Sequence, residues 1–167
     1  MKRMRVYLVL LLLFGVIVGC VGCGEQVSPY EHLETFATLY PMPSGRYYDS
    51  TAEEHQSTYL DPAVFTLLYG RDTTGDDRED IRRFALFLGT SSTHVYEMGI
   101  FECYDRDGAN EVLGLIETRL SLIASSHTGA DLTALADARL ALFGKMVVYV
   151  VLPDNPKAIR VLERMMK

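Results

Sequence analysis

The 167-residue sequence predicts an α+β fold, in which a four-stranded antiparallel sheet carries two helices packed on one face. Apolar residues alternate with period two along much of residues 83–104, which is typical of paired strands. A helical stripe of apolar residues follows over 109–123, and residues 146–152 are rich in valine, a strong strand former. The predicted order is strand, strand, helix, strand, strand, helix, preceded by a short helical N-terminal region.

Residues 1–19 have the composition of a bacterial lipoprotein signal peptide. A basic start precedes an apolar run over 6–18, which is shorter than the roughly 20 residues that a membrane-spanning helix needs. The run ends in Ile17-Val18-Gly19-Cys20, which resembles a lipobox, with a small residue before the cut and a thiol that accepts the diacylglyceryl group. Cys20 is the predicted lipidation site. Cys23 is a poorer candidate for the lipidation site, because Cys20 would then occupy the upstream lipobox position that requires an aliphatic residue.

Removal of this signal changes the charge of the chain. Residues 1–19 hold three of the 16 basic residues and none of the 22 acidic ones, so the remaining 148 residues carry a net charge of −9. Such an acidic balance argues against a nucleic-acid partner, which favours a basic face. Two acyl chains anchor a protein stably. The expected partner is therefore the cell membrane, to which the lipid would attach the protein on the extracytoplasmic side.

The region before the main domain contains short elements. Residues 20–30 are predicted to be the lipidated cysteine and a tether. Residues 31–80 are predicted to be short helices with tyrosine-rich and acidic loops. Within them, 43–48 is predicted as a turn, the pair Asp61-Pro62 suits the start of a helix, and 71–80 is predicted as a solvated loop.

Residues 81–167 form the predicted α+β domain. Its predicted strands are 83–90, 94–104, 138–143 and 146–152. Asp107 and Asn155 suit the N-caps of its two helices, and Gly144-Lys145 suits a two-residue hairpin. Because both halves run strand, strand, helix and have similar residues where the helix begins, we hypothesise a duplicated unit.

Three short motifs resemble those of a known family. They are Val95-Tyr96-Glu97-Met98-Gly99-Ile100-Phe101, Asp107-Gly108-Ala109 with Val112 and Arg119 downstream, and Gly144-Lys145-Met146-Val147-Val148-Tyr149-Val150-Val151. Over about residues 61–167 the chain resembles the DUF4358 domain-containing lipoproteins of Firmicutes, mostly clostridial. It departs from them at Met146-Val147, where the family more often has an aromatic residue before valine, and in 125–132, which lacks the family's usual tyrosine. The resemblance implies a lipid-anchored surface domain of unknown function and supplies no catalytic residues.

The sequence predicts no catalytic residue, no metal site and no cofactor. The four histidines lie in separate segments, and His94 and Glu97 are expected to point to opposite faces of one strand, which disfavours a shared metal. Cys103 has no evident base to activate its thiol. It is expected to be a small buried hydrophobe, although a pairing with Cys23 stays open.

Glu97 is the unusual residue of the predicted sheet. A carboxylate between apolar residues of an inner strand is costly unless it is paired, and Arg119 or Arg139 could pair with it. One interpretation is a structural ion pair, whose loss in Glu97→Gln would destabilise the domain. The other is a polar anchor in a ligand groove, whose loss would leave melting unchanged and reduce ligand binding.

Two functional hypotheses follow from these features. The first is a non-enzymatic, lipid-anchored extracytoplasmic module that binds an envelope protein, an envelope polymer or a small ligand. The alternative is an envelope-acting enzyme or inhibitor with an unrecognised site. Convergent polar groups in a concave pocket would favour the alternative, whereas a flat apolar or tyrosine-rich patch would favour the first hypothesis.

Overall fold

The computed structural model describes residues 27–69, 80–127 and 131–166. The predicted signal peptide, Cys20, Cys23 and nearly all of the predicted acidic loop lie outside the described residues. Among the helices that are described, none is long and apolar enough to cross a membrane.

The described residues form five helices and one antiparallel sheet, which confirms the α+β class. The helices are α1 (Pro29–Leu39), α2 (Pro62–Tyr69), α3 (Arg106–Ser126), α4 (Thr133–Ala136) and α5 (Asn155–Met165). The strands are β1 (Gly45–Asp49), β2 (Ile81–Gly89), β3 (Glu97–Cys103), β4 (Arg139–Phe143) and β5 (Met146–Val151). Their order across the sheet is β1-β2-β3-β5-β4, so the four predicted strands are present within a few residues of their predicted bounds.

The sheet has a fifth strand, because residues predicted as a turn form β1. Gly45 pairs with Gly89 and Asp49 pairs with Ala85, which makes β1 an edge strand beside β2. The ring of Tyr47 packs against that of Phe87, with centroids 5.2 Å apart. Such cross-strand aromatic contacts stabilise a short strand that has little apolar alternation of its own.

The prediction that both main helices pack on one face of the sheet is wrong, and with it the duplicated unit in the form proposed. α3 packs with α2 on the face that presents Leu86, Phe101 and Val147. α5 packs with α1 on the face that presents Phe87 and Ile100. The reason is that the central strands β3 and β5 are buried along their whole length, so both of their faces need a helical cover.

The helix caps also differ from prediction. The N-caps are Asp105 and Asp154, whose carboxylates each accept a backbone N–H bond of 2.9 Å from three residues downstream. Asn155 is instead buried, where its side chain accepts a bond from the N–H of Leu152 and donates one to the carbonyl of Ala134. These bonds tie the end of β5 to α4. The predicted hairpin is present, with Gly144 at φ +64°, a conformation that favours glycine.

Candidate functional site

Four polar side chains meet inside the protein where β3 begins. Glu97 is 3% exposed and receives two bonds from Arg119, at 3.0 Å from Nε to Oε1 and 2.6 Å from Nη2 to Oε2. The hydroxyl of Tyr149 donates to the same Oε1, and the hydroxyl of Tyr69 lies 3.0 Å from that of Tyr149. Arg119 also donates from Nη1 to the carbonyl of Leu68, at 3.3 Å. We call the four side chains Glu97, Arg119, Tyr149 and Tyr69 the buried network.

The backbone positions each member of the buried network. Glu97 and Tyr149 project from the neighbouring strands β3 and β5 toward the α3 face, and α3 and α2 supply Arg119 and Tyr69. Gly99 pairs with Tyr149 across the two strands. A Cβ at position 99 would lie 2.4 Å from a ring carbon of Tyr149. The tyrosine ring therefore occupies space that a side chain at position 99 would fill.

The electrostatics keep Arg119 charged and the two phenols protonated. Burial opposes the charge of Arg119, but the hydrogen bond and the charge of Glu97 outweigh burial and hold the pKa of Arg119 above its usual value. Burial, followed by the charge of Glu97, raises the pKa of both Tyr69 and Tyr149. Both hydroxyls are therefore available as neutral donors at physiological pH.

We predict that the protein loses stability as the pH rises above about 10. Below that pH both phenols are protonated in the folded and the unfolded chain, so their contribution is fully present. Above it the unfolded chain releases the protons while the folded chain keeps them, which costs about 1.4 kcal/mol per pH unit for each group. Burial also raises the pKa of Cys103 to about 11, which adds to the loss of stability in the same direction.

Urea unfolding between pH 8 and 11 measures how steeply the free energy of unfolding falls with pH, and Tyr149→Phe should make this fall shallower. Tyr104→Phe, which removes an exposed phenol, is the control.

Two open cavities lie at this end of the sheet, and the smaller of them adjoins the buried network. The smaller, of about 180 Å³, is lined by Leu88, Gly89, Ser91, His94, Val95, Tyr96, Glu97, Arg119 and His127. The larger, of about 250 Å³, is lined by His94, Tyr96, Asp131, Thr133, Ala134, Asp137, Leu152, Pro153 and Asn155. Both cavities share His94 and Tyr96, whose rings stack with centroids 5.5 Å apart. We call them the Arg119 cavity and the Asp131 cavity.

His94 is held between two loops. Its Nδ1 lies 2.8 Å from the hydroxyl of Thr93, and its Nε2 lies 3.7 Å from Oδ2 of Asp131. The backbone N–H of Asp131 donates to the carbonyl of Thr93 at 2.7 Å. Hydrogen bonds from Thr133 lower the pKa of the Asp131 carboxyl, so this side chain is anionic at neutral pH. The loop before β3 is thereby fastened to the start of the segment that leads into α4.

The structure brings together two of the residues singled out from the sequence. Glu97 contacts Arg119, whereas Arg139 lies on β4 and pairs with Asp137 at the surface. Cys20 lies outside the described residues. Cys103 is buried with a free thiol. Among the described residues, no cluster of three or more histidine, cysteine or acidic side chains is placed to hold a metal ion.

Sequence reasoning missed the two tyrosines of the buried network and a second buried carboxylate. Glu102, at the far end of β3, is 1% exposed and accepts bonds from Arg82 at 2.9 Å and from Arg83 at 2.7 Å. The sequence feature that could have predicted this ion pair is Arg82-Arg83 at the start of β2. Because β2 and β3 are antiparallel, the start of β2 lies beside the end of β3, where Glu102 is found. Glu102 lies away from both cavities.

Comparison with known proteins adds no relative: no family model, no curated protein and no solved structure matches the chain.

Proposed function

We propose that the chain is an exported lipoprotein, anchored through Cys20 to the extracytoplasmic face of the cell membrane, that serves as a binding module of the cell envelope. Its binding site is formed by the Arg119 cavity, which adjoins the buried network, and by the neighbouring Asp131 cavity. The lipobox and the resemblance to DUF4358 lipoproteins support the anchor. Its partner is an envelope protein, an envelope polymer or a small ligand, and the net charge of −9 left after signal removal argues against nucleic acid.

The observation that carries the binding role is the combination of open cavities with a fixed polar wall. Arg119 is held at two nitrogens by Glu97, and Glu97 is in turn held by Tyr149. A guanidinium fixed in this way loses little conformational entropy when it binds a ligand, which favours affinity. Ligand sites are concave and carry a few placed polar groups, and this end of the sheet has both properties.

The position of α1 relative to the cavities supports an orientation for the anchored protein. Tyr40, just after α1, contacts the backbone of Asp154 where α5 begins, close to the cavities. At the other end of α1, Glu31 lies within electrostatic range of Arg83, close to Glu102. The described part of the chain therefore begins at the end of the sheet opposite the cavities. Under this proposal the cavities face the envelope rather than the membrane.

The anchor is tested by Cys20→Ala, with Cys23→Ala as the matched control. We expect the native chain and Cys23→Ala to incorporate a labelled fatty acid and to sediment with membranes. Cys20→Ala should incorporate none and should accumulate as the uncleaved precursor. Labelling that persists in Cys20→Ala and disappears in Cys23→Ala would assign the anchor to Cys23. Absence of label in the native chain would refute the lipid anchor altogether.

One observation favours the alternative of an envelope-acting enzyme. Thr93, His94 and Asp131 follow one another as a hydroxyl, an imidazole and a carboxylate, an order that also occurs in nucleophilic hydrolases. Two features count against a catalytic triad. The 3.7 Å distance between Nε2 of His94 and Oδ2 of Asp131 is too long for a hydrogen bond. The hydroxyl also belongs to Thr93, which directly precedes the histidine in the chain. The enzyme hypothesis requires His94→Ala to abolish hydrolysis of an envelope ester or amide by the purified protein, while the binding module is expected to show no such hydrolysis.

A further inference from the structure

We infer that β4 is the interaction surface for a second copy of this chain. The two copies pair edge to edge through antiparallel β4 strands, so that their two sheets join into one continuous sheet. This inference goes beyond the binding role proposed above, because it uses neither the cavities nor the lipid.

The outer edge of β4 has open backbone groups. Among the described strands, only β5 lies beside β4. The carbonyl of Lys145 accepts the N–H of Cys103 on β3 at 3.0 Å, so the odd-numbered residues of β5 face β3 and the even-numbered ones face β4. Leu140 and Leu142 pair with odd-numbered residues of β5. Their N–H and carbonyl groups therefore point away from β5, and no residue in the described part of the chain bonds them.

The other edge of the sheet is protected, whereas the β4 edge is not. At β1, the N–H of Asp49 donates to the carbonyl of Thr58 at 2.8 Å, and two of the five side chains are charged. From Leu140 to Phe143, β4 has four apolar side chains in a row, and Leu140 is 36% exposed. Proteins usually protect a free edge with charges, prolines or a covering segment. An open apolar edge therefore indicates a partner strand.

The charges beside β4 favour a second copy as that partner and select one register. Outward-facing residues must lie opposite each other, so the paired strands are centred on Ala141 or on either of its neighbours. Centring on Ala141 overlaps all five residues of β4 and places Asp137 opposite Lys145 of the second copy, once at each end. Centring one residue later places Arg139 opposite Lys145, and like charges in that position destabilise paired strands. Centring one residue earlier removes the contact between Asp137 and Lys145.

Both charged side chains are accessible to a second copy. The Asp137 side chain is 46% exposed, and its pairing with Arg139 uses one of its two oxygens. The Lys145 side chain is 37% exposed and lies 4.0 Å from Glu102, which two arginines bind at shorter distances. Such exposed pairs set the register more than they add affinity. Attachment of both copies to one membrane, as proposed above, would raise their effective concentration and favour this short interface.

Cysteine cross-linking in membranes of cells that express the full chain tests this inference, in a Cys23→Ala background. Centring on Ala141 places position 141 of one copy opposite position 141 of the other, with Cα atoms about 4.5 Å apart, which is within disulfide range. We expect Ala141→Cys to form a covalent dimer when diamide oxidises its thiols. Leu140→Cys is the matched control and should yield at least tenfold less dimer. Its two copies lie roughly 7 Å apart along the strands, in addition to the spacing between strands, which is beyond disulfide reach.

A proline at the edge tests whether backbone pairing holds the two copies together. Leu140→Pro in the Ala141→Cys protein removes an N–H that points away from β5, so the sheet keeps its own hydrogen bonds. We expect at least tenfold less dimer, whereas Leu140→Val keeps the N–H and should keep the dimer. Thermal unfolding of both variants checks that they remain folded.

Three results would overturn the inference. The first is an Ala141→Cys protein that cross-links no more than Leu140→Cys. The second is a dimer of Ala141→Cys that persists in folded Leu140→Pro protein. The third is a cross-linked product with the mass of a different partner, which would assign the β4 edge to a strand of another protein.

Discussion

Glu97→Gln is expected to lower the free energy of unfolding by about 3–5 kcal/mol, the usual cost of removing one partner of a buried ion pair. The amide keeps the shape of the side chain but not its charge. Arg119, only 14% exposed, would then carry a buried positive charge without a counter-charge. Tyr149 would also donate to a weaker acceptor. The loss should be visible as a reduced urea midpoint with an unchanged slope.

Arg139→Ala is the matched control for that measurement. Arg139 and Asp137 are about half exposed, and exposed ion pairs contribute at most about 1 kcal/mol. A loss below about 1 kcal/mol in Glu97→Gln would contradict the structural ion pair. It would revive the other interpretation of the sequence, in which Glu97 is an anchor that faces a ligand.

Gly99→Ala is expected to destabilise the protein by about 3 kcal/mol, at the upper end of the usual cost of overpacking. The new methyl group would lie 2.4 Å from the Tyr149 ring and 2.7 Å from the Phe101 ring. Both rings are buried in the centre of the sheet, between β3 and the helices α2 and α3, and have little room to move. Displacement of the Tyr149 ring would also pull its hydroxyl from Glu97, so the substitution damages the packing and the buried network together.

Gly114→Ala separates this steric effect from the general effect of replacing a glycine. A Cβ at position 114 meets no atom within 4 Å, and alanine is favoured over glycine in a helix interior by about 1 kcal/mol. Gly114→Ala should therefore stabilise the protein slightly. Equal effects of the two substitutions in thermal unfolding would show that the space above Gly99 is not used by Tyr149.

The sequence predicts the order of the main elements because strands and helices have different apolar periods. It does not show which face of the sheet a helix covers. The valine-rich β5 indicates a strand buried on both sides, and that requires cover on both faces, yet the pattern does not assign α3 and α5 to them. β1 was missed for a related reason, since its pairing with β2 depends on a tertiary contact between Tyr47 and Phe87.

The candidate site could be predicted in part. Glu97 stands out because a carboxylate breaks the apolar alternation of β3. The choice between Arg119 and Arg139 depends on where α3 and β4 lie relative to the sheet, which the sequence leaves open. Tyr69 and Tyr149 lie within apolar segments and look like core residues, so only the structure shows that their hydroxyls join the buried network.

The buried network fixes the Arg119 guanidinium through two bonds to Glu97 and one to the carbonyl of Leu68. Side-chain nitrogen NMR of ¹⁵N-arginine-labelled protein tests this fixed geometry most directly. The signals of Arg119 are identified by their absence from the spectrum of Arg119→Lys. We expect slowly exchanging Nε–H and separately resolved Nη protons for Arg119. A single averaged Nη signal and a rapidly exchanging Nε–H would contradict the fixed geometry.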